Sequence, residues 1–86
     1  MENTMQQIIR IPSQLGAVIQ SQRLGKGLTQ ADLAKCSGTQ QKTISAIENG
    51  SEGTKLDTLL SVIAILDLDL QIVSRRQGDI SIEDVF

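Results

Sequence analysis

The chain contains no histidine, tryptophan or tyrosine, and only one cysteine, one proline and one phenylalanine among 86 residues. Without histidine the commonest general base and metal ligand is missing, and the scattered carboxylates and hydroxyls that remain do not suggest an enzyme. Neither catalytic residues nor a metal or cofactor is expected. The lone Cys36 cannot form an internal disulfide, and too few cysteines accompany it for a structural zinc site, which points to a reducing compartment. Long apolar runs are lacking too. The longest, residues 59–66, is interrupted by Ser61 and is far short of the ~20 residues that span a bilayer. The polar opening Met1-Glu2-Asn3 has no basic region leading into an apolar run, so the expectation is a cytoplasmic protein without a signal peptide or membrane partner.

Three short matches to known motifs fail on inspection. Gly25-Lys26 is followed by Gly27 rather than Ser or Thr, and Gln20 stands where a phosphate loop begins with glycine. Asp67-Leu68-Asp69 continues into Gln71 and Ile72 where a calcium loop needs a ligand and a glycine. Asn49-Gly50-Ser51 fits a glycosylation acceptor but has no secretory context.

What is present is enough for one small domain. A chain of this size buries only roughly 60% of the surface its unfolded state exposes, so association with a second copy would supply missing core. The net charge of −2 is unevenly spread: residues 1–56 carry six basic and four acidic side chains, residues 57–86 two and six. An acidic balance disfavours strong non-specific binding to nucleic acid, whereas a mildly basic first two thirds leaves site-specific binding open.

Pro12 and Ser13 end a short extended segment and begin a helix over residues 13–24, with Leu15, Val18 and Ile19 on one face and Gly25-Lys26-Gly27 as its stop. Thr29 is a good N-cap for residues 30–36, with Asp32 completing a capping box. After the turn Ser37-Gly38-Thr39, residues 40–49 form a third helix with Ile44 and Ile47 inward, ended by Asn49-Gly50. Thr54 caps a fourth helix reaching Leu66, with Leu56, Leu59, Leu60, Ile63 and Ala64 inward. The period then changes to two over residues 68–76, where Leu68, Leu70 and Ile72 alternate with Asp69, Gln71 and Val73. A lone strand needs a partner, either residues 7–11 or its copy in a second subunit; a two-fold pair is the expectation.

The predicted fold is thus mainly α: a compact helix-turn-helix domain of four to five short helices, with one C-terminal β-strand pairing across a homodimer. Its divisions are an extended arm (1–12), the helical domain (13–66), a dimerisation strand (67–76) and a flexible acidic tail (77–86). Two short helices joined by a turn need a small residue where they cross, a place that Ala34 fits, and Gly38 supplies the backbone freedom of the turn. The outer face of the third helix then carries Gln40, Gln41, Lys42, Thr43 and Ser45. Glutamine suits bidentate reading of adenine in the major groove; Lys, Thr and Ser suit guanine or phosphate. For an isolated helix the same residues would be a solvated face; a paired helix with the right turn favours DNA.

The run Thr29-Gln30, Leu33-Ala34, Gly38, Thr43-Ile44-Ser45, Ile47-Glu48-Asn49-Gly50 resembles the phage-repressor-like (Xre, Cro/C1-type) regulators, over residues 13–66. Leu15 through Arg23 and Gly27 to Thr29-Gln30, the Gln41-x-Thr43-Ile44-Ser45 signature and the strand after the fourth helix are further similar to HipB-type antitoxins. That resemblance implies a homodimeric autorepressor bound to a palindromic double-stranded operator and complexed with a HipA-type Ser/Thr kinase toxin. By position, Gln30 resembles the family's phosphate-contacting Gln and Gln41 its base-reading Gln; Arg23, Thr29, Gln40, Lys42, Thr43 and Ser45 complete the expected DNA-binding set. Leu68, Leu70 and Ile72 are the expected dimer contacts and Phe86 an expected toxin anchor. Two departures stand out: Gln22 occupies an inner position of the first helix where an apolar residue is usual, and the tail is short. Competing readings are a free-standing phage or restriction-modification type repressor, and a protein-interaction module without DNA binding. Cys36 is expected as a small, partly buried side chain without chemistry.

Overall fold

A computed structural model of the chain describes residues 6–75, which fold into four helices: α1 (Pro12–Gly25), α2 (Gln30–Ser37), α3 (Gln41–Glu48) and α4 (Leu56–Ile65). The expectations for residues 1–5, for Arg76 and for the tail with Phe86 lie outside the described residues.

The first two helices start by devices visible in the sequence. Pro12 holds the first position of α1, with Ile11 extended before it (φ −138°, ψ 157°), as a residue preceding proline must be. Gln14 reaches back to accept from the backbone N–H groups of Arg10 (2.5 Å) and Ile11 (3.2 Å). At α2 the capping box forms in full: Thr29 Oγ1 accepts from the Asp32 N–H and Asp32 Oδ2 from the Thr29 N–H, each at 2.9 Å. In α4 the cap position falls on Lys55 rather than Thr54, without a side-chain cap bond, and Asp57 in the first turn faces the positive end of the helix.

All four helices stop in the same way. An N–H two or three residues past each end reaches back five positions, Leu28 to Arg23 O, Thr39 to Ala34 O, Ser51 to Ala46 O and Leu68 to Ile63 O, all at 2.9–3.1 Å. The intervening residue is left-handed each time: Gly27, Gly38, Gly50 and, for α4, Asp67 at φ +61°. A side chain in that conformation costs about 1 kcal/mol, and Asp67 is held there with its carboxylate 2.5 Å from Lys26 Nζ at the end of α1. Beside it the Gln22 Nε2 donates to the Leu66 carbonyl at 3.1 Å, so the polar side chain on the inner face of α1 satisfies the end of α4.

Ile19, Leu33, Ile44, Val62 and Leu66 are wholly buried, joined by Ala34, Ile47 and Ile63. Burial of each large apolar side chain is worth about 1.5–3 kcal/mol. Ala34 is where the small residue was expected. The buried face of α4 is the expected one only in part: Ile63 points inward and Leu59 packs against the core, but Leu56 is 64% and Leu60 42% exposed, Ala64 is exposed, and Val62 and Leu66 are buried instead. Apolar residues surround α4 on nearly every side, so spacing alone does not select its inner face. Cys36 is exposed rather than partly buried.

Among the described residues no strand forms. Residues 68–75 pair neither with residues 7–11 nor with any other segment, because a strand exists only with a partner to bond to. Leu68 turns back onto the core, while Leu70, Ile72 and Val73 are 50, 87 and 58% exposed. No helix among the described residues is long and apolar enough to cross a membrane.

Candidate nucleic-acid interface

The residues singled out on α2 and α3 come together because the Gly38 turn sets the start of α3 beside the start of α2. Gln40 is the cap residue of α3, with no side-chain bond to the first turn, so the backbone N–H groups of Gln41 and Lys42 are left without a side-chain cap. Thr29, Gln40, Gln41 and Lys42 are exposed; Gln30, Thr43 and Ser45 are half-buried along the same side. Thr29 accepts the cap bond through its hydroxyl oxygen. Gln41 Nε2 donates to Gln30 Oε1 at 3.4 Å, so the two glutamines matched to phosphate and base reading touch across the helix pair.

Arg23 is not with them. It is only 7% exposed, and its guanidinium is spent inward: Nε to Glu48 Oε2 at 2.6 Å, Nη2 to Glu48 Oε1 at 3.1 Å and Nη1 to the Leu28 carbonyl at 2.8 Å. Arg23, expected at the DNA, is thus buried behind the exposed polar face, with three of its five guanidinium N–H groups engaged inward. Burial works to raise the Glu48 carboxyl, but the hydrogen bonds from Arg23 and Gln30 and the charge of Arg23 outweigh it and hold that carboxyl below the ordinary carboxylate range. Gln30 Nε2 makes its bond to Glu48 Oε1 at 3.0 Å. A continuous chain therefore runs from Arg23 through Glu48 and Gln30 to Gln41.

Sequence reasoning missed Glu48, although its position four residues after inward-facing Ile44 places it on the same side of α3. It also missed an open groove of about 510 Å³ beside α3, where Thr39, Lys42 and Thr43 face Thr54, Lys55 and Thr58 from the loop and start of α4. Two lysines and four hydroxyls, set against the one carboxylate of Glu52, suit the groove to phosphate oxygens. Among the described residues no cluster of His, Cys, Asp and Glu could hold a metal.

Comparison with known proteins agrees with this architecture. A helix-turn-helix family profile matches residues 19–73. Antitoxin HipB of Escherichia coli strain K12 is 36% identical over 72 residues, covering 84% of this chain and 82% of the relative. The ImmF control region 10 kDa protein of Bacillus phage phi105 is 35% identical over 63 residues, 73% of this chain and 70% of that protein. Among solved structures, a chain of the HipA-HipB-O2-O3 complex superposes with a TM-score of 0.74 at 34% identity, covering 81% of this chain and 99% of its own. The restriction-modification controller protein C.AhdI from Aeromonas hydrophila superposes less fully, with a TM-score of 0.61 at 28% identity over 66% of this chain and 83% of its own. By sequence, extent and fold, this chain belongs to the HipB antitoxin family of helix-turn-helix proteins.

Proposed function

We propose that the chain is a sequence-specific DNA-binding repressor that acts as the antitoxin of a HipA-type kinase toxin and controls its own operon. The observation that carries this reading is the likeness to HipB over nearly the whole of that protein's structured chain, in complexes described as HipA-HipB-O2-O3 and HipB-O4 20mer. The geometry supports it from below. Gln40, Gln41, Lys42, Thr43 and Ser45 form one polar face on α3, with its N-terminal N–H groups left without a side-chain cap. On this reading α3 enters the major groove, Gln41 reads a base, and Thr29 and Gln30 hold phosphate at the start of α2. Lys42 and Lys55 grip the backbone from either side of the groove between them.

The protein works as a homodimer in the same reading. Leu70 and Ile72 lie uncovered, and pairing residues 68–75 with their copy across a two-fold axis gives both the apolar side chains and the backbone groups their partners. Leu68 then contributes from the core side. Fluorescence anisotropy with a labelled duplex from the protein's own promoter tests DNA binding: salt-sensitive, competitor-resistant binding supports the reading, and binding no tighter than to random DNA refutes it. A co-purifying kinase-like protein, encoded beside the gene, distinguishes an antitoxin from a controller of the restriction-modification type.

A further inference from the structure

We propose that Glu48, which lies behind the surface offered to DNA, is a specificity-positioning residue: it fixes which way round the Gln30 amide sits, and through it the Gln41 amide, so that Gln41 selects adenine over guanine. This rests on the reading of α3 as the base-contacting helix.

The argument follows from which groups can donate. A guanidinium only donates and a carboxylate only accepts. Arg23 engages both oxygens of Glu48, and the remaining capacity of Glu48 Oε1 is to accept again. Gln30 must therefore turn its NH2 end toward Glu48, at 3.0 Å, which leaves its carbonyl oxygen facing Gln41. Gln41 must in turn present its NH2 end to that oxygen, at 3.4 Å. An exposed glutamine would adopt either orientation at little cost. Here the polarity starts at an ion pair whose side chains are 8 and 2% exposed, where water has almost no access to reset it.

With one N–H given to Gln30, Gln41 keeps one N–H and its carbonyl oxygen for a base. That is one donor and one acceptor, which matches the N7 acceptor and N6–H donor of adenine. Guanine offers two acceptors, N7 and O6, and the Gln41 oxygen would be set against O6. A glutamine released from the chain has two N–H groups free and can give both to guanine.

The test begins by selecting binding sites for the full-length protein from random duplexes, and the position whose preference disappears in Gln41→Ala is taken as the one Gln41 reads. Affinities for A and G there are compared in the unaltered protein, in Gln30→Met, and in the double variant Arg23→Met with Glu48→Met. The double variant removes the ion pair without leaving a lone buried charge. Circular dichroism establishes that each variant is folded, and Gln30→Met, which leaves the ion pair intact, decides the matter if the double variant does not fold. The expected preference for adenine is roughly tenfold or more in the unaltered protein and falls toward parity in the folded variants. If Gln30 acted only on phosphate, Gln30→Met would weaken both duplexes equally and leave their ratio unchanged, and that result overturns the proposal. Selection of a base other than adenine at this position also overturns it while leaving DNA binding intact; failure to select any sequence overturns the functional reading as well.

Discussion

Gly16, in the middle of α1, lies so close to the end of α3 that a Cβ on it would stand 2.4 Å from the carbonyl oxygen of Ile47 and 2.6 Å from that of Glu48. The two helices meet backbone to backbone, which explains a glycine where a helix interior would be more stable by about 0.5–1 kcal/mol with alanine. Gly16→Ala is expected to reverse that ordinary preference. The obstructing atoms are main-chain carbonyls that cannot rotate away, so the helices must separate at a cost of about 1–3 kcal/mol. Urea unfolding measures it, and a variant as stable as the parent would show that the contact is looser than described.

Acid should loosen the fold through two carboxyls. Asp32 is held below the ordinary range by hydrogen bonds from the backbone and side chain of Thr29, and Glu48 is held below it despite its burial by the bonds from Arg23 and Gln30. A depressed value in the folded state means that the unfolded chain takes up protons first as pH falls. The contribution of both groups is therefore complete above the unfolded carboxylate range, near pH 4, and is lost as pH drops through the lower folded values. Urea midpoints between pH 7 and pH 3 should fall at the acid end. Asp32→Asn should flatten part of that fall, and an unchanged profile would remove the capping box from the account.

Lys55 sits at the start of α4, across the groove from Lys42. If it meets a phosphate, Lys55→Ala should weaken binding to all sequences alike and reduce the slope of log affinity against log salt by about 1. Lys42→Ala either does the same or changes the preference at a single base pair, and the difference shows whether Lys42 meets phosphate or guanine. Titrations at several salt concentrations separate these cases. No change in slope for Lys55→Ala would place the DNA backbone elsewhere.

Replacing Leu70 or Ile72 with Asp should split the proposed dimer. Like charges would oppose each other across the two-fold axis, and each lost apolar contact costs about 1.5–3 kcal/mol. Light scattering coupled to size exclusion gives the mass directly. A variant that remains dimeric moves the interface to the exposed side of α4, where Leu56 and Leu60 stand.

What could be read in advance was local. The Thr29–Asp32 box and the Gly38 turn involve residues at most a few positions apart, and their residue types have few other uses. The polar face of α3 was legible because helical spacing places it. The burial of Arg23 was not legible because its partner lies 25 residues away, and nothing in an arginine's neighbourhood distinguishes an inward pair from an outward phosphate contact. Gln22 looked anomalous for the same reason, since the Leu66 carbonyl that it satisfies is 44 residues distant. The inner face of α4 was ambiguous because hydrophobicity there has no preferred side, and a period-two pattern becomes a strand only where a partner is present to bond to.

The seam where Lys26 and Gln22 hold the turn at Asp67 and Leu66 has a consequence for spacing. That turn sets the direction in which the chain leaves α4 for the proposed dimerisation segment, and the ties to α1 resist its swinging. In a two-fold dimer joined beyond this point, the distance and angle between the two copies of α3 are fixed by the exit direction. Operator half-sites one helical turn apart, about 34 Å, require that separation to be reproducible. The ruler for the operator would thus lie in a turn that touches no base, and a change at Asp67 or Gln22 would alter the preferred gap between half-sites while leaving the sequence of each half-site as it was.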